Sequence, residues 1–458
     1  MKKKDVLTME PKLEKKYGLF TAIAMVVGIV IGSGVFFKAE KILTATGGNL
    51  KQGILAWVIG GIIMISCAYT FSVMATKYQY VNGVVDYAES TMGSTYAYYV
   101  GWFMAIIYYP TITSVLAWVS ARYTSVVFGF SITGGECMTI ACLYLVASFA
   151  LNALSPVFAG KFQVSTTIIK LIPLFLMAVV GTITGIRNGM TVYNFTHYVS
   201  QSTSRGLFTA IVAACFAYEG WIIATSINAE LKNAKKNLPL ALIAGTFITM
   251  SVYILYYIGL AGTIKNEVMM AGGETGAKLA FETIFSSAGG SLLFIFVIIS
   301  CLGTLNGLML GCTRGIYSLA ARGLGPKPQI FSQVDPVTNM PVNSAVLGVL
   351  LCGIWLVYFY GANLTANWFG FFSFDSSELP IVTIYALYIP IFLMFMVKGK
   401  ELGFFNRFLM PSLSLLGCVF MMIAAWFAHG TAVIAYLIVF FVIMILGGLL
   451  LKRSKKVI

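Results

Sequence analysis

The sequence predicts an all-α polytopic membrane protein of twelve transmembrane helices, with broken first and sixth helices that face one another in an inverted arrangement. Three observations predict it: a composition too apolar for water, long stretches without charge, and two glycine-marked breaks at matching depth. Of 458 residues, 59% are hydrophobic and only 10% charged, and the mean hydropathy is +0.88, outside the range of soluble globular domains. Residues 19–37, 52–76, 90–121, 137–160, 237–264 and 283–313 contain no Asp, Glu, Lys or Arg. Each can cross a ~30 Å hydrocarbon core as a helix. Further spans near 162–186, 206–229 and 364–396, and near 342–360, 408–428 and 431–451, complete the twelve. Lipid tolerates no unpaired backbone, so the bundle must be helical.

The divisions that follow are a cytoplasmic tail over 1–16, a first repeat over 17–186 (helices 1–5), a second over 205–397 (helices 6–10), helices 11 and 12 over 404–451, and a cytoplasmic tail over 452–458. An even number of helices puts both ends on one side. Of the 30 Lys and Arg residues, 21 fall on that side and 8 on the other, with Lys170 inside a helix. Cytoplasmic loops retain such charges, so both termini are expected in the cytoplasm of a cell with this protein in its plasma membrane. The net charge of +14 is explained by these short flanking loops, which removes nucleic acid as a partner. The first apolar segment is too long for a signal-peptide core and lacks a small-residue cleavage site, so it is expected to remain as the first helix.

Eight cysteines without a CxxC pair read as small packing residues. The two histidines, His197 and His429, fall in predicted outer loops, so neither a metal site nor an intramembrane histidine relay is expected. No cofactor is called for.

The first break lies in Gly28-Ile29-Val30-Ile31-Gly32-Ser33-Gly34. Close helix packing through small residues is the bland explanation of such a cluster. The sixth span, however, carries Phe216-Ala217-Tyr218-Glu219-Gly220-Trp221, a carboxylate and a glycine in mid-membrane, where acids are costly and functional. From span starts near Gly18 and Gly206 the breaks lie 14 and 12 residues in, or ~20 Å at 1.5 Å per residue. The second of these spans comes five helices after the first, an odd offset, so the two run in opposite directions, the pattern of inverted repeats around a central site.

Helix ends supply the chemistry. The half-helix after Gly34 starts with free amides and a positive dipole end, suited to a carboxylate at Gly32, Ser33 and Gly34. The backbone carbonyls of Ile31, Phe216 and Ala217, left at the ends of the other halves, can accept from an ammonium group. One ligand with both groups is an α-amino acid. Tyr218, Glu219 and Trp221, with Tyr253 of the seventh span, are the candidates for gating or specificity.

Lys170 sits about 13 residues from the start of the fifth span near Val157, ~20 Å deep. Lys161 lies about four residues in and reads as an interfacial anchor. Ser300 and Thr304 share a face of the eighth span, with Asn306 near, and offer acceptors to a buried ammonium. Lys170 is therefore expected to stand where a sodium-coupled transporter holds its cation, the alternative being a fixed structural charge. Glu219 is read first as a pairing or gating residue, with Lys170 as one possible partner. Arg314 and Arg322 read as loop anchors. Asp375, Glu378, Pro380 and Pro390 suggest kinks and an outer gate in the tenth span.

With Ile31-Gly32-Ser33-Gly34-Val35-Phe36, Phe216-Ala217-Tyr218-Glu219-Gly220-Trp221 and Ser300-Cys301-Leu302-Gly303-Thr304-Leu305-Asn306-Gly307 in order, and Gln163 seven residues before Lys170, the chain resembles the amino acid, polyamine and organocation superfamily. Its L-type amino acid transporter branch, with its bacterial alanine, serine and cysteine exchangers, is the most similar. The resemblance covers residues 17–400. It implies a five-plus-five inverted repeat, sodium-independent exchange of small neutral L-amino acids by alternating access, carboxylate binding at Ser33 and Gly34, ammonium binding at the Phe216 carbonyl, and coupling through Lys170. Eukaryotic members join a glycoprotein subunit through an outer-loop cysteine between helices 3 and 4. Residues 128–136 hold none, so no such partner subunit is expected.

A proton-coupled symporter of the same fold is the alternative, with Lys170 or Glu219 exchanging a proton. A membrane enzyme would need a nucleophile with its base at depth, and a channel would need charge rings or filter repeats. The sequence offers neither.

Overall fold

The computed structural model describes residues 18–32, 34–78, 83–199, 204–224, 231–338 and 340–457. Ser33 and the lysines of the N-terminal tail lie outside the described residues. Among the described residues ten helices are long and apolar enough to cross a membrane, and two shorter apolar helices, Leu19–Gly28 and Arg205–Ala217, occupy the places of the predicted first and sixth spans. In chain order the principal helices are α1 (Leu19–Val30), α2 (Gly34–Ala45), α3 (Leu50–Lys77), α4 (Ser94–Phe128), α5 (Gly135–Leu154), α6 (Phe158–Arg187) and α7 (Ser204–Ala217). They continue as α8 (Trp221–Ala224), α9 (Ala234–Ala261), α10 (Glu274–Ala320), α11 (Val342–Leu364), α12 (Leu379–Lys398), α13 (Phe405–His429) and α14 (Ala432–Val457).

Burial sorts these helices into layers. The apolar window of α4 is 89% buried and forms the axis of the bundle, whereas that of α14 is only 28% buried. α14 turns Leu437, Phe441, Ile445 and Leu449 outward, as expected of a helix solvated by lipid, which gains nothing from hiding apolar surface. α4 packs along α10, α1 along α9, and α2 along α7.

Where helices touch closely, glycine removes the side chain between them. A Cβ on Gly181 of α6 would lie 2.7 Å from the Gly259 carbonyl oxygen of α9, and one on Gly259 would lie 2.2 Å from that of Met177. Such backbone approach is how helices associate when lipid supplies no hydrophobic drive. Within α4 a π-helical turn, Met104–Tyr108, precedes Pro110. Pro110 has no N–H, which leaves the carbonyl four residues earlier without its helical donor. That carbonyl, on Ile106, accepts the Trp355 indole N–H at 3.0 Å.

Candidate substrate site

Both predicted breaks are present. α1 stops at Val30 and α2 begins at Gly34; α7 stops at Ala217 and α8 begins at Trp221. Gly220 has φ of +112°, a conformation that side chains resist and glycine accepts. The last carbonyls of α1 lose their intrahelical donors when the helix stops, and other segments replace them. Val27 O keeps its helical donor, the Ile31 N–H, at 2.9 Å; beyond it Lys170 Nζ donates to Gly28 O at 2.5 Å, and the Tyr253 hydroxyl lies 3.1 Å from Val30 O. Gly28 makes the lysine contact possible, because a Cβ there would lie 2.7 Å from Thr167 Cγ2.

The Tyr253 hydroxyl is also 3.2 Å from Ala217 O, at the end of α7. One phenol on α9 thus ties the two breaks together. The breaks touch directly as well, since a Cβ on Gly34 would lie 2.6 Å from the Ala217 Cα.

Between the breaks lies a cavity of about 250 Å³, lined by Gly32, Gly34, Phe216, Ala217, Glu219 and Gly220 of the broken segments, Lys170 and Gln163 of α6, Tyr108 of α4 and Thr304 of α10, with apolar walls from Val30, Ile112, Leu116, Leu308, Leu310 and Ile381. Pockets for drug-sized ligands run to ~300–1,000 Å³, so this one suits a smaller molecule. A second cavity of about 240 Å³ adjoins it through the shared residues Gly307 and Leu310 and leads past Tyr109 to Arg314, Ser318 and Arg322.

The folded positions divide the predicted site residues. Gly32, Gly34, Phe216, Ala217, Glu219, Lys170 and Thr304 line the cavity; Ile31, Tyr218, Trp221, Tyr253 and Ser300 are buried beside it but do not line it. Tyr218 points into the core, donating to Trp57 O at 3.0 Å and stacking on Tyr253. Trp221 packs against Phe71 and Tyr388. Ser300 lends its carbonyl to the Thr304 hydroxyl at 3.1 Å. Asn306 does not line the cavity but bonds to a residue that does, accepting from Asn152 at 2.9 Å and donating to Gln163 at 3.3 Å.

Glu219 and Lys170 both face the cavity but form no ion pair. Glu219 Oε1 accepts from the Tyr108 hydroxyl at 2.5 Å, and its Oε2 is buried without a hydrogen-bond partner. Tyr108 was not singled out in the sequence; its only local signal is Pro110, two residues on. Arg314, read as a loop anchor, lines the vestibule instead. His429, expected in a loop, is the last residue of α13 and is mostly buried against Glu378. Lys38, counted among the outer loop charges, is fully buried in α2.

This arrangement can hold a small zwitterion. The first turn of α2 offers backbone amides and the positive end of a helix dipole, and the end of α7 offers carbonyls across the same cavity. Among the described residues that line it there is no Ser or Cys nucleophile of the kind that covalent catalysis uses.

Comparison with known proteins agrees with this geometry. Residues 17–449 match the amino acid permease family. The serine/threonine exchanger SteT of Bacillus subtilis (strain 168) is 28% identical over 397 residues, 86% of each chain. The b(0,+)-type amino acid transporter 1 of Homo sapiens is 23% identical over 454 residues, 98% of this chain and 90% of that one. The glutamate/serine transporter AimA of Bacillus subtilis (strain 168) is 23% identical over 384 residues, 78% of this chain and 68% of that one. A match over nearly the whole chain, with two helix ends facing one small cavity, makes the protein a multi-pass amino acid transporter, not an enzyme, and a member of the amino acid permease family.

Proposed function

We propose that the protein is a sodium-independent exchanger of small neutral L-amino acids such as alanine, serine and cysteine, working by alternating access in the plasma membrane. It crosses the membrane twelve times with both ends in the cytoplasm, as two inverted five-helix repeats followed by two further helices, and works without a glycoprotein subunit. The substrate carboxylate sits on the amides at the start of α2, beside Gly32, Ser33 and Gly34. The ammonium group meets the carbonyls of Phe216 and Ala217, which line the cavity, with Ile31 beside them. The side chain extends toward Tyr108, Glu219 and Ile112. Lys170 takes the place of a coupling cation, tying α6 to the end of α1 with Thr304 and Ser300 nearby. Tyr253 holds the two breaks in register, and Tyr218 and Trp221 back them from the core.

One observation carries this reading: the start of α2 and the end of α7 face a single cavity of about 250 Å³, which offers a place to each of the two charged groups of an α-amino acid. The name of one relative, the serine/threonine exchanger SteT, agrees with exchange. The test is countertransport in liposomes preloaded with labelled alanine. Release should require external neutral amino acid and proceed equally in sodium-free buffer. Accumulation driven by a pH gradient, with no amino acid on the opposite side, would replace exchange by proton coupling. That second reading has its own support in Lys170, whose ammonium rests on the Gly28 carbonyl with no ion-pair partner among the described residues.

A further inference from the structure

The cavity adjoins the one lined by Arg314 and Arg322, and an ionic cluster packs against its Phe216 and Ile381 walls. Lys38 Nζ, in the second turn of α2, lies 2.7 Å from Glu378 Oε1, and both side chains are 0% exposed. Lys41, one turn further along α2, reaches the same oxygen at 2.7 Å and Asp375 Oδ2 at 3.3 Å. The other Glu378 oxygen, Oε2, lies 3.2 Å from His429 Nε2 at the end of α13. A single carboxylate therefore joins the half-helix α2, the start of α12 and the end of α13.

Asp375 shapes the turn that presents it. Its Oδ1 accepts from Ser377 N–H at 2.8 Å, from the Ser377 hydroxyl at 2.5 Å and from Glu378 N–H at 3.0 Å. Asp375, Glu378 and His429 also bring potential metal-ligand atoms within 4.8 Å of one another. Two ammonium groups at 2.7 Å from Glu378 already neutralise that carboxylate, which makes this an ion-pair cluster and disfavours a further cation.

The cluster bears on the cavity from two sides. Lys38 Nζ stands 4.2 Å from the centre of the Phe216 ring and 4.7 Å from that of Phe37, and Phe216 lines the cavity. Ile381, another lining residue, donates its amide to Glu378 O at 3.0 Å. α2 cannot tilt away from α12 without separating Lys38 and Lys41 from Glu378.

We propose that Glu378 is the latch of the outer gate, a positioning residue that holds α2 down over the loaded cavity in the inward-facing state and releases Lys38 and Lys41 to water when the cavity opens outward. This rests on the reading of the cavity as the transported substrate's site. A buried ion pair suits the task because both charges regain hydration on separation, so little net energy separates latched from open, whereas removing one partner leaves an uncompensated charge in the closed state. The two partners are not equivalent. Glu378→Gln strands the buried Lys38, while Lys38→Met leaves Glu378 with Lys41 and His429.

The test compares the wild-type protein with Glu378→Gln, Glu378→Asp and Lys38→Met in oriented proteoliposomes. Loss of the latch shifts the resting population outward, so the ratio of outer to inner KM for alanine should fall about tenfold or more in Glu378→Gln, less in Lys38→Met, and return toward wild type in Glu378→Asp. A readout independent of transport uses Ile381→Cys and a membrane-impermeant thiol reagent added outside. Labelling should be slow in the wild-type background and several-fold faster with Glu378→Gln. If folded Glu378→Gln protein keeps the wild-type KM ratio and labelling rate, the latch is overturned. If the protein labels as expected but fails to exchange, the exchange reading fails and the latch stands.

Discussion

Gly34 and Ala217, 183 positions apart in the chain, meet backbone to backbone: a single Cβ on Gly34 would stand 2.6 Å from the Ala217 Cα. The amide end of one broken helix is thereby pressed against the carbonyl end of the other.

Gly34→Ala should accordingly abolish transport, because the obstruction is backbone and cannot rotate away. Gly32→Ala should be milder, since its Cβ would meet the Thr304 side chain at 3.1 Å, which can turn aside. Uptake of labelled alanine should fall more than tenfold for the first and a few-fold for the second, relating ~1.4 kcal/mol to each factor of ten. Size-exclusion profiles in detergent should show both proteins folded. Equal losses would mean that the close contact is not what matters.

Lys170→Ala should reduce turnover by at least about tenfold, because it removes the donor to the Gly28 carbonyl and leaves that group unpaired at depth. Lys161, on the exposed face of the same helix, should tolerate alanine within about twofold. Exchange rates per reconstituted molecule decide between them.

Tyr253→Phe removes the hydroxyl within reach of both Val30 O and Ala217 O and leaves the ring stacked on Tyr218. A hydrogen bond of this kind contributes ~0.5–1.5 kcal/mol net. The expected outcome is a several-fold rise in KM with normal membrane expression, measured as concentration-dependent countertransport.

Glu219 places a carboxylate in the cavity wall with one oxygen held by Tyr108. A substrate with an acidic side chain would bring a second carboxylate beside it, and like charges in such surroundings repel strongly. Glu219→Gln, which can keep the Tyr108 hydrogen bond, should narrow the preference for alanine over aspartate by about tenfold or more. Competition by unlabelled aspartate against labelled alanine reads this directly, and an unchanged ratio would remove Glu219 from the selectivity determinants.

Much of the site was legible because the two features that build it are local. Glycine clusters and an intramembrane acid stand out in an apolar chain for reasons of backbone strain and desolvation, and both helices do break at those positions. Lys170 was legible for the same reason, as a charge too deep to reach water. The direction of each side chain was not. Tyr218 and Trp221 belong to the motif that forms the break, yet they turn into the core, whereas Tyr108, with no local mark but a nearby proline, reaches the cavity. Ser300 and Thr304 share a helical face by spacing, and only Thr304 lines the space.

The sequence by itself determined the solvent of this protein, the helical bundle that lipid enforces, the places where two helices end and the kind of ligand that helix ends recognise. Only the tertiary structure decided which acceptor takes the Lys170 ammonium, which hydroxyl holds Glu219, and that Lys38, Glu378 and His429 meet. The physical reason is that a helix break is encoded within a few residues, whereas an ion pair spanning 340 positions depends on how separately formed helices rotate and pack.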